Sequence, residues 1–256
     1  MNKHVLAVLA VLCLRVPVAA QGLEWAVNFW APDYTINQKR IISQTDQLGQ
    51  FYTAGHYYDA FDLDPGPATL LLPAGGGVYL QKLDTEGKLA WAKQILRGDA
   101  TITALIVDQF GYIYTTGYFR GAVDFDPGPN QYNLSAPLGG FDFFIQKLDA
   151  TGKLIWAKGM GTVAGSVDGN DYAYTIRQEA DGNLLVSGTF AGAVDFDPGP
   201  GTTTLVATTY SDIFLLKLEP ATGALIWVRQ IESPGGSGYP TQVTTDNTGN
   251  IYLAAR

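Results

Sequence analysis

A two-part motif that occurs three times constrains the fold of this chain more than any other feature. In the middle copy, residues 123–129 read Val-Asp-Phe-Asp-Pro-Gly-Pro, and an apolar hairpin pattern follows at residues 143–157. The same pair of motifs stands at residues 61–67 with 79–92, and at residues 194–200 with 214–228. A repeat of this kind means that the chain is built from copies of one supersecondary unit, which bury their apolar faces against one another.

Tryptophan marks the length of the repeat. Trp25, Trp91, Trp156 and Trp227 follow one another at spacings of 66, 65 and 71 residues, each within a short apolar strand pattern. The strand pattern that precedes each of the last three is apolar at both parities, which is typical of a strand covered on both faces. We therefore interpret the four tryptophans as packing between repeats rather than as platforms for a sugar.

Each repeat contains two predicted hairpins. One has its turn at residues 84–87, 149–152 and 219–223, and the other at residues 46–49, 108–111, 179–182 and 246–249; every turn begins with an acidic residue and ends with glycine. Four antiparallel strands per repeat, without helices, predict an all-β fold of the β-propeller type. A solenoid would need a shorter repeat, and a sandwich would not repeat at this length.

The predicted strands, labelled A to D within a blade, give about three full blades and partial ones. The blades are expected at about residues 40–95, 101–158 and 172–230, with a partial blade at 240–256 and an isolated D strand at 22–27. Residues 21–256 would thus form the propeller repeats, preceded by a segment at residues 1–20.

The hairpin Phe-x-x-Lys-Leu-Asp…Gly-x-Leu-x-Trp and the pattern Asp-x-x-Gly-Asn-Ile-Tyr at residues 246–252 resemble a known family. It is the bacterial β-propeller repeat family called SBBP, the seven-bladed propeller repeat, and the resemblance extends over nearly all of residues 21–256. It implies an exported or surface-displayed protein and no common catalytic residues. Because seven blades need about 28 strands, we expect the chain to be the front part of a longer protein; a compact four-bladed ring is the alternative.

Residues 1–20 are typical of a secretory signal peptide. Lys3 and His4 form a polar start, residues 5–14 are apolar, and Val-Ala-Ala precedes Gln21 as a cleavage site. The apolar run is too short to span a membrane, and a buried first helix is the alternative. The only cysteine, Cys13, lies within it, so the mature chain has no disulfide and no cysteine metal site. Leu12 is not small, which argues against lipid attachment at this cysteine.

Charge excludes one class of partner. Removal of Lys3 and Arg15 changes the formal charge from −8 to −10, and an acidic protein repels the phosphate backbone of nucleic acids. No set of acid, base and nucleophile stands out, so we predict no catalytic residues and no organic cofactor.

The repeated aspartates are weak candidates for a metal site. In an extended strand both carboxylates of Asp-x-Asp point the same way, and carboxylate oxygens suit Ca²⁺. Two carboxylates are a thin shell, however, so the preferred interpretation is a structural hairpin with Pro-Gly at the centre of a type II turn. The candidate residues are Asp62, Asp64, Asp124, Asp126, Asp195 and Asp197.

Lysine also repeats, at Lys82, Lys147 and Lys217 in strand C. A catalytic lysine would not need three copies, so we expect ion pairs with carboxylates of the blades. His56 is the only histidine after residue 20 and has no partners for a catalytic triad, which favours a surface or core role.

Strand alternation predicts where function lies. The A–B and C–D turns are short and share one face, whereas the B–C and D–A connections are long and share the other, the long-loop face. Because function in repeat proteins usually lies on the long connections, the sequence predicts an exported, non-enzymatic scaffold that binds a protein or a glycan there. The alternatives are a propeller enzyme of the lyase, glycosidase or quinoprotein type, and a structural spacer in a large surface protein.

Overall fold

The computed structural model describes residues 41–136, 139–163, 169–233, 238–246 and 248–256. These residues form eighteen strands and contain no helix that could cross a membrane. The strands are β1 (Ile41–Thr45), β2 (Phe51–Tyr57), β3 (Phe61–Asp62), β4 (Leu71–Leu72), β5 (Gly77–Leu83), β6 (Leu89–Val107), β7 (Ile113–Asp124), β8 (Asn133–Ala136), β9 (Asp142–Leu148), β10 (Leu154–Met160), β11 (Tyr172–Gln178), β12 (Leu184–Phe190), β13 (Ala193–Asp195), β14 (Thr204–Val206), β15 (Asp212–Leu218), β16 (Leu225–Ile231), β17 (Pro240–Thr245) and β18 (Ile251–Ala255). The segment at residues 1–20, the strand at 22–27 and Trp25 lie outside the described residues.

Four-stranded antiparallel sheets repeat along the chain, which confirms the predicted fold class. The order β1-β2-β5-β6 forms the first blade, β6-β7-β9-β10 the second and β11-β12-β15-β16 the third, and β17 pairs with β18. Within each blade, tight turns join strand A to strand B and strand C to strand D, as an acidic residue followed by glycine predicts.

The first two blades differ from the prediction, because they share one strand. The 19-residue strand β6 pairs with β5 through Leu96 and with β7 from Arg97 onwards, so a single eight-stranded sheet results. A separate strand D and strand A with a long connection were expected here. Gly98 explains why the strand is continuous. Its φ of 132° is readily adopted only by glycine, and a Cβ at this position would lie 2.9 Å from Cγ2 of Val123.

Strand C is covered on both faces, as its apolar pattern predicts. In β9, Phe144 and Leu148 pack in the core between the first and second blades. Phe143 and Ile145 point the other way and pack in the core between the second and third blades. All four side chains are fully buried. The blades are therefore held together by continuous apolar layers, which fixes their long connections relative to one another.

Strand B contains glycine where strand A bulges. Gly117 in β7 faces a register shift between Ile102 and Ala104 in β6, and a Cβ at Gly117 would overlap the carbonyl oxygen of Thr101. Gly188 in β12 repeats this arrangement opposite β11. The glycine at this position thus allows two backbones to approach closely.

Candidate functional site

The B–C connections of the three blades form small hairpins on the long-loop face. Strand β3 pairs with β4, the end of β7 with β8, and β13 with β14, so the hairpin predicted at the repeated motif forms in each blade. These hairpins carry the repeated Asp-x-Asp-Pro-Gly-Pro motif. They place its six aspartates at equivalent positions near the blade ends.

Backbone amides hold the aspartates of each hairpin. In the middle copy, Oδ1 of Asp124 accepts hydrogen bonds from the N–H of Asp126 (3.0 Å) and of Tyr132 (2.9 Å), and Oδ1 of Asp126 accepts one from Gly128 (2.7 Å). The same three contacts recur in the other two copies, at Asp62, Asp64, Asp195 and Asp197. One oxygen of every carboxylate is therefore committed to the protein backbone.

The metal interpretation gains no further ligands from the surroundings. Across the described ranges, no group of three or more His, Cys, Asp or Glu side chains is placed to hold a metal ion. The bend itself is closed by side chain to backbone hydrogen bonds, which need no ion.

The predicted type II turn is wrong. Such a turn needs positive φ at its third residue, yet Gly66, Gly128 and Gly199 do not have positive φ. The turn is an Asx turn, in which Asp126 receives the Gly128 amide. A Cβ at Gly128 would lie 2.9 Å from Oδ1 of Asp126, so glycine is needed for the close approach of the carboxylate rather than for its φ.

Each hairpin is anchored on its apolar side by one buried residue. These anchors are Leu63, Phe125 and Phe196, all with no exposed surface. In the middle copy, the fully buried Gln146 donates from Nε2 to the Phe125 carbonyl (2.8 Å) and accepts from the Thr115 hydroxyl (3.2 Å). Gln81 makes the equivalent contact in the first copy. Sequence reasoning missed this role, although a repeated polar residue in a strand apolar on both faces was a signal.

The side chain of Arg97, in β6, binds the middle hairpin through hydrogen bonds. Nη1 of Arg97 donates to Oδ2 of Asp124 (2.9 Å) and to the Asp126 carbonyl (2.6 Å). Burial alone would raise the pKa of Asp124, but hydrogen bonds from Tyr132, Asp126 and Arg97 outweigh it and hold that pKa below its ordinary value. Among the described residues, no arginine donates to the aspartates of the other two hairpins, so repetition could not reveal Arg97.

The three repeated lysines make different contacts. Lys217 forms the expected ion pairs, with Glu179 (2.7 Å) and Asp181 (2.6 Å), and its hydrogen bond lowers the pKa of Asp181 to about 2. Lys82 and Lys147 form no such pair with a described residue. The ion-pair prediction is therefore correct for one blade only.

A tyrosine in strand B explains the difference between these lysines. Nζ of Lys82 lies 5.1 Å from the centre of the Tyr52 ring, and Nζ of Lys147 lies 5.2 Å from that of Tyr114. Both rings offer a cation–π contact. The third blade has Leu185 at this position, so its lysine turns to the carboxylates instead.

The tryptophans contact the C–D turn of the following blade. Nε1 of Trp91 donates to the Ala150 carbonyl (3.2 Å), and Nε1 of Trp156 donates to the Pro220 carbonyl (3.3 Å). The Trp91 ring also lies against Gly152, where a Cβ would come within 2.9 Å. Trp227 is partly exposed, and its Nε1 donates to no described residue. These indoles face the short-turn side of the blades, away from the long-loop face.

A chain of partly exposed aromatic side chains runs along the inner part of the long-loop face. The ring centroids are 5.2 Å apart for Phe141 and Tyr118, 4.8 Å for Tyr118 and Tyr172, 6.0 Å for Tyr172 and Tyr174, and 6.0 Å for Tyr174 and Tyr239. This aromatic row consists of Phe141, Tyr118, Tyr172, Tyr174 and Tyr239. Tyr239 is 44% exposed and the other four are half-buried. Sequence reasoning did not find the row.

The base of the row is fixed by hydrogen bonds between blades. The Phe141 carbonyl accepts from the N–H of Asp171 (2.7 Å), and the Phe141 N–H donates to Oδ1 of Asn170 (3.1 Å). Burial, reinforced by the neighbouring tyrosines, raises the pKa of Tyr172 to about 12, so its hydroxyl stays protonated. The backbone that carries Phe141 and Tyr172 is therefore held in place before any ligand arrives.

Two carboxyl groups with raised pKa lie beneath this row. Burial raises the pKa of Asp142 to about 6. Burial, together with the nearby Asp142 charge, raises that of Asp171 to about 7, despite hydrogen bonds from Ala191 (3.0 Å) and Thr162 (3.0 Å). Asp171 has no exposed surface and supports the backbone under the rings, so it does not reach a ligand.

The opposite face has a cavity of about 470 Å³ between the second and third blades. Its charged groups are already paired: Lys147 donates to the Pro220 carbonyl (2.9 Å), and Glu179 accepts from Lys217. His56 lies elsewhere, half-buried with its ring 4.4 Å from that of Tyr58. Neither place brings together an acid, a base and a nucleophile among the residues described.

Comparison with known families supports the repeat assignment. Residues 226–256, which cover all but the first residue of β16 and the whole of β17 and β18, match the family model described as SBBP, the β-propeller repeat. The suspected resemblance to this repeat is thereby confirmed over those residues. A search of the curated proteins finds no match.

Proposed function

We propose that this propeller-repeat protein is exported and acts as a non-enzymatic scaffold that binds a protein or glycan ligand on its long-loop face. The observation that carries the proposal is the aromatic row, because its partly exposed rings are fixed between blades on the face that also carries the three hairpins. Clustered tyrosines with a nearby arginine are typical of binding surfaces.

Export is supported by the sequence of residues 1–20. The polar start, apolar run and small-residue site together are typical of a signal that is removed after transport.

A binding role without catalysis is supported by the chemistry of the long-loop face. Asp171, which has no exposed surface, accepts hydrogen bonds from Ala191 and Thr162 under the rings, whereas a glycosidase would need two carboxyl groups placed on either side of a scissile bond.

The test combines location and binding. The full chain, produced with its native start in a bacterium, should be recovered outside the cytoplasm with an amino terminus at Gln21. The purified protein should then give signals on an array of glycans and extracellular proteins, and the bound molecules should keep their mass after incubation. Cytoplasmic protein that retains Met1 would contradict export, and cleavage of a bound glycan would favour the enzyme alternative.

A further inference from the structure

We propose that the aromatic row is the binding site of a neutral glycan chain; this inference rests on the proposed function and specifies its ligand. The row is elongated, which suits a linear ligand. Phe141, Tyr118 and Tyr172 cluster at one end with centroids 4.8 to 5.9 Å apart, and Tyr174 and Tyr239 extend the row from there in two steps of 6.0 Å. A protein partner of ordinary affinity instead buries about 800 Å² on each side, which is a patch rather than a strip.

The rings offer the surface that a sugar needs. Tyr118 packs at nearly a right angle against both Phe141 (80°) and Tyr172 (87°). In such an edge-to-face pair, one ring contacts its neighbour only through its edge. The pair contact therefore does not cover the two faces of that ring. The C–H face of a pyranose ring is apolar and can stack on an aromatic face of this kind. Tyr174 and Tyr239 continue the strip towards β17.

A polar group at one end of the row can bind hydroxyl groups. Arg120 lies with its guanidinium 5.2 Å from the Phe141 ring centre, and it donates from both Nε and Nη2 to Oδ2 of Asp99 (3.1 and 2.7 Å). Both side chains of this pair are about half exposed (53% and 49%). Both hydrogen bonds reach one oxygen, and none of the residues that the structure describes donates to Oδ1 of Asp99, so this oxygen can accept a hydrogen bond from a ligand hydroxyl.

The charges favour a neutral glycan over an anionic one. Arg120 is already paired with Asp99, and Asp142 lies beside Phe141 in the chain, so the described part of the site offers no spare cation for a carboxylate or sulfate. The whole chain carries a formal charge of −8, which repels polyanions. The Tyr172 phenol remains neutral, because burial raises its pKa to about 12.

The experiment measures binding of the full chain to defined oligosaccharides by titration calorimetry. The probes are neutral hexasaccharides of β-1,4-linked glucose and mannose, an anionic hexamer of galacturonic acid, and a proline-rich peptide, which also suits aromatic grooves. We expect binding of a neutral hexasaccharide only. Tyr174→Ala and Tyr239→Ala should each weaken it about tenfold, the loss expected for a contact residue at the centre of an interface.

The matched control is Tyr210→Ala. Tyr210 is 83% exposed on the B–C connection of the third blade and lies outside the row, so its loss should change affinity less than about twofold. Thermal melting of each variant shows whether it is folded. Equal affinity of the parent, Tyr174→Ala and Tyr239→Ala for the hexasaccharide would overturn the site.

Binding of the anionic hexamer or the peptide alone, lost in Tyr239→Ala, would overturn the neutral-glycan ligand and leave the proposed binding function intact. A parent protein that binds none of these probes and gives no signal on the array would overturn both.

Discussion

At the scale of single residues, the glycines of strand B are required by the close approach of two backbones, which the pattern of side chains in the sequence does not reveal. The sequence shows glycine at equivalent positions in the first three repeats, including Gly117 and Gly188. It does not show that strand A bulges opposite Gly117 and Gly188 and brings a carbonyl against them. Such a bulge depends on pairing between strands rather than on local composition.

Gly117→Ala should lower the free energy of unfolding by about 1–3 kcal/mol, the usual result of forcing atoms into a packed site. Chemical denaturation measures the change. Gly121→Asn is the control, since a Cβ at Gly121 meets nothing within 4 Å and asparagine tolerates its φ of 67°. A Gly117→Ala midpoint equal to that of the control would show that strand A can move away.

The buried Asp171 should make stability fall with rising pH. Its pKa is raised to about 7 by burial, so between about pH 4 and pH 7 the folded protein holds a proton that the unfolded chain has lost. The free energy of unfolding should therefore decrease by about 1.4 kcal/mol per pH unit in this window. Asp142 contributes a similar decrease in the free energy of unfolding up to about pH 6, because burial raises its pKa to about 6.

Asp171→Asn should remove most of this slope between pH 6 and 7, because an amide imitates the protonated acid and does not titrate. Urea unfolding at pH 4.5, 5.5, 6.5 and 7 measures it for both proteins. Parent stability that does not change over this range would contradict the raised pKa of Asp171.

At the scale of the elements, the tryptophan–turn contact distinguishes three residues that look alike in the sequence. Trp156 is 7% exposed and donates to Pro220, whereas Trp227 is half-buried and has no such acceptor among the described residues. The repeat predicted that they occupy equivalent strands. It could not predict that their environments differ.

Trp156→Ala should cost about 3–5 kcal/mol of unfolding free energy, as for other large aromatic residues removed from a core. Trp156→Phe keeps most of the ring but loses the hydrogen bond, so about 1 kcal/mol is expected. Trp227→Ala serves as the matched comparison and should cost clearly less than Trp156→Ala. Equal denaturation midpoints for the two alanine variants would contradict the role of the turn contact.

The hairpins of the long-loop face should keep their shape without calcium. Their bends are closed by amide hydrogen bonds to Asp124, Asp126 and the equivalent aspartates. Calcium added to chelator-treated protein should leave the melting temperature within about 1 °C, and Asp124→Asn/Asp126→Asn should lower it with or without the ion. A rise of several degrees at sub-millimolar calcium, absent in that variant, would establish a metal site.

These hairpins also show what sequence could and could not predict. The repeated Asp-x-Asp-Pro-Gly-Pro motif predicted a hairpin in each blade, and the structure contains the second strand of each hairpin. The turn type was wrong because Pro-Gly suits several bends, and the choice is made by the Asp126 carboxylate. The sequence could not predict the aromatic row, because its members come from segments that are far apart along the chain. The contacts of Tyr118 with Tyr172 and of Tyr174 with Tyr239 form only between one blade and the next.

At the scale of the whole molecule, the shared strand β6 joins the first two blades more tightly than the second and third are joined. Strand β6 pairs with both β5 and β7, whereas β10 and β11 belong to different sheets. The sequence predicted equivalent junctions, because the strand patterns before and after Gly98 repeat like the others.

Amide hydrogen exchange should therefore show that β2, β5, β7 and β9 open together in the first two blades, with a separate opening for β12 and β15 in the third. Cooperative units of this kind follow continuous hydrogen bonding and packing. Exchange by mass spectrometry at increasing denaturant measures the order. Independent opening of β2 and β7 would contradict a shared unit.

The tryptophan–turn contact also gives the repeat array a direction. Each contact takes its indole from one blade and its carbonyl and glycine from the next, as at Trp91 with Ala150 and Gly152. A copy that carries both halves can be duplicated in tandem and will meet a fitting neighbour on each side without any new interface. Gene duplication can thus lengthen or shorten such an array one repeat at a time, while the loops of the opposite face diverge freely.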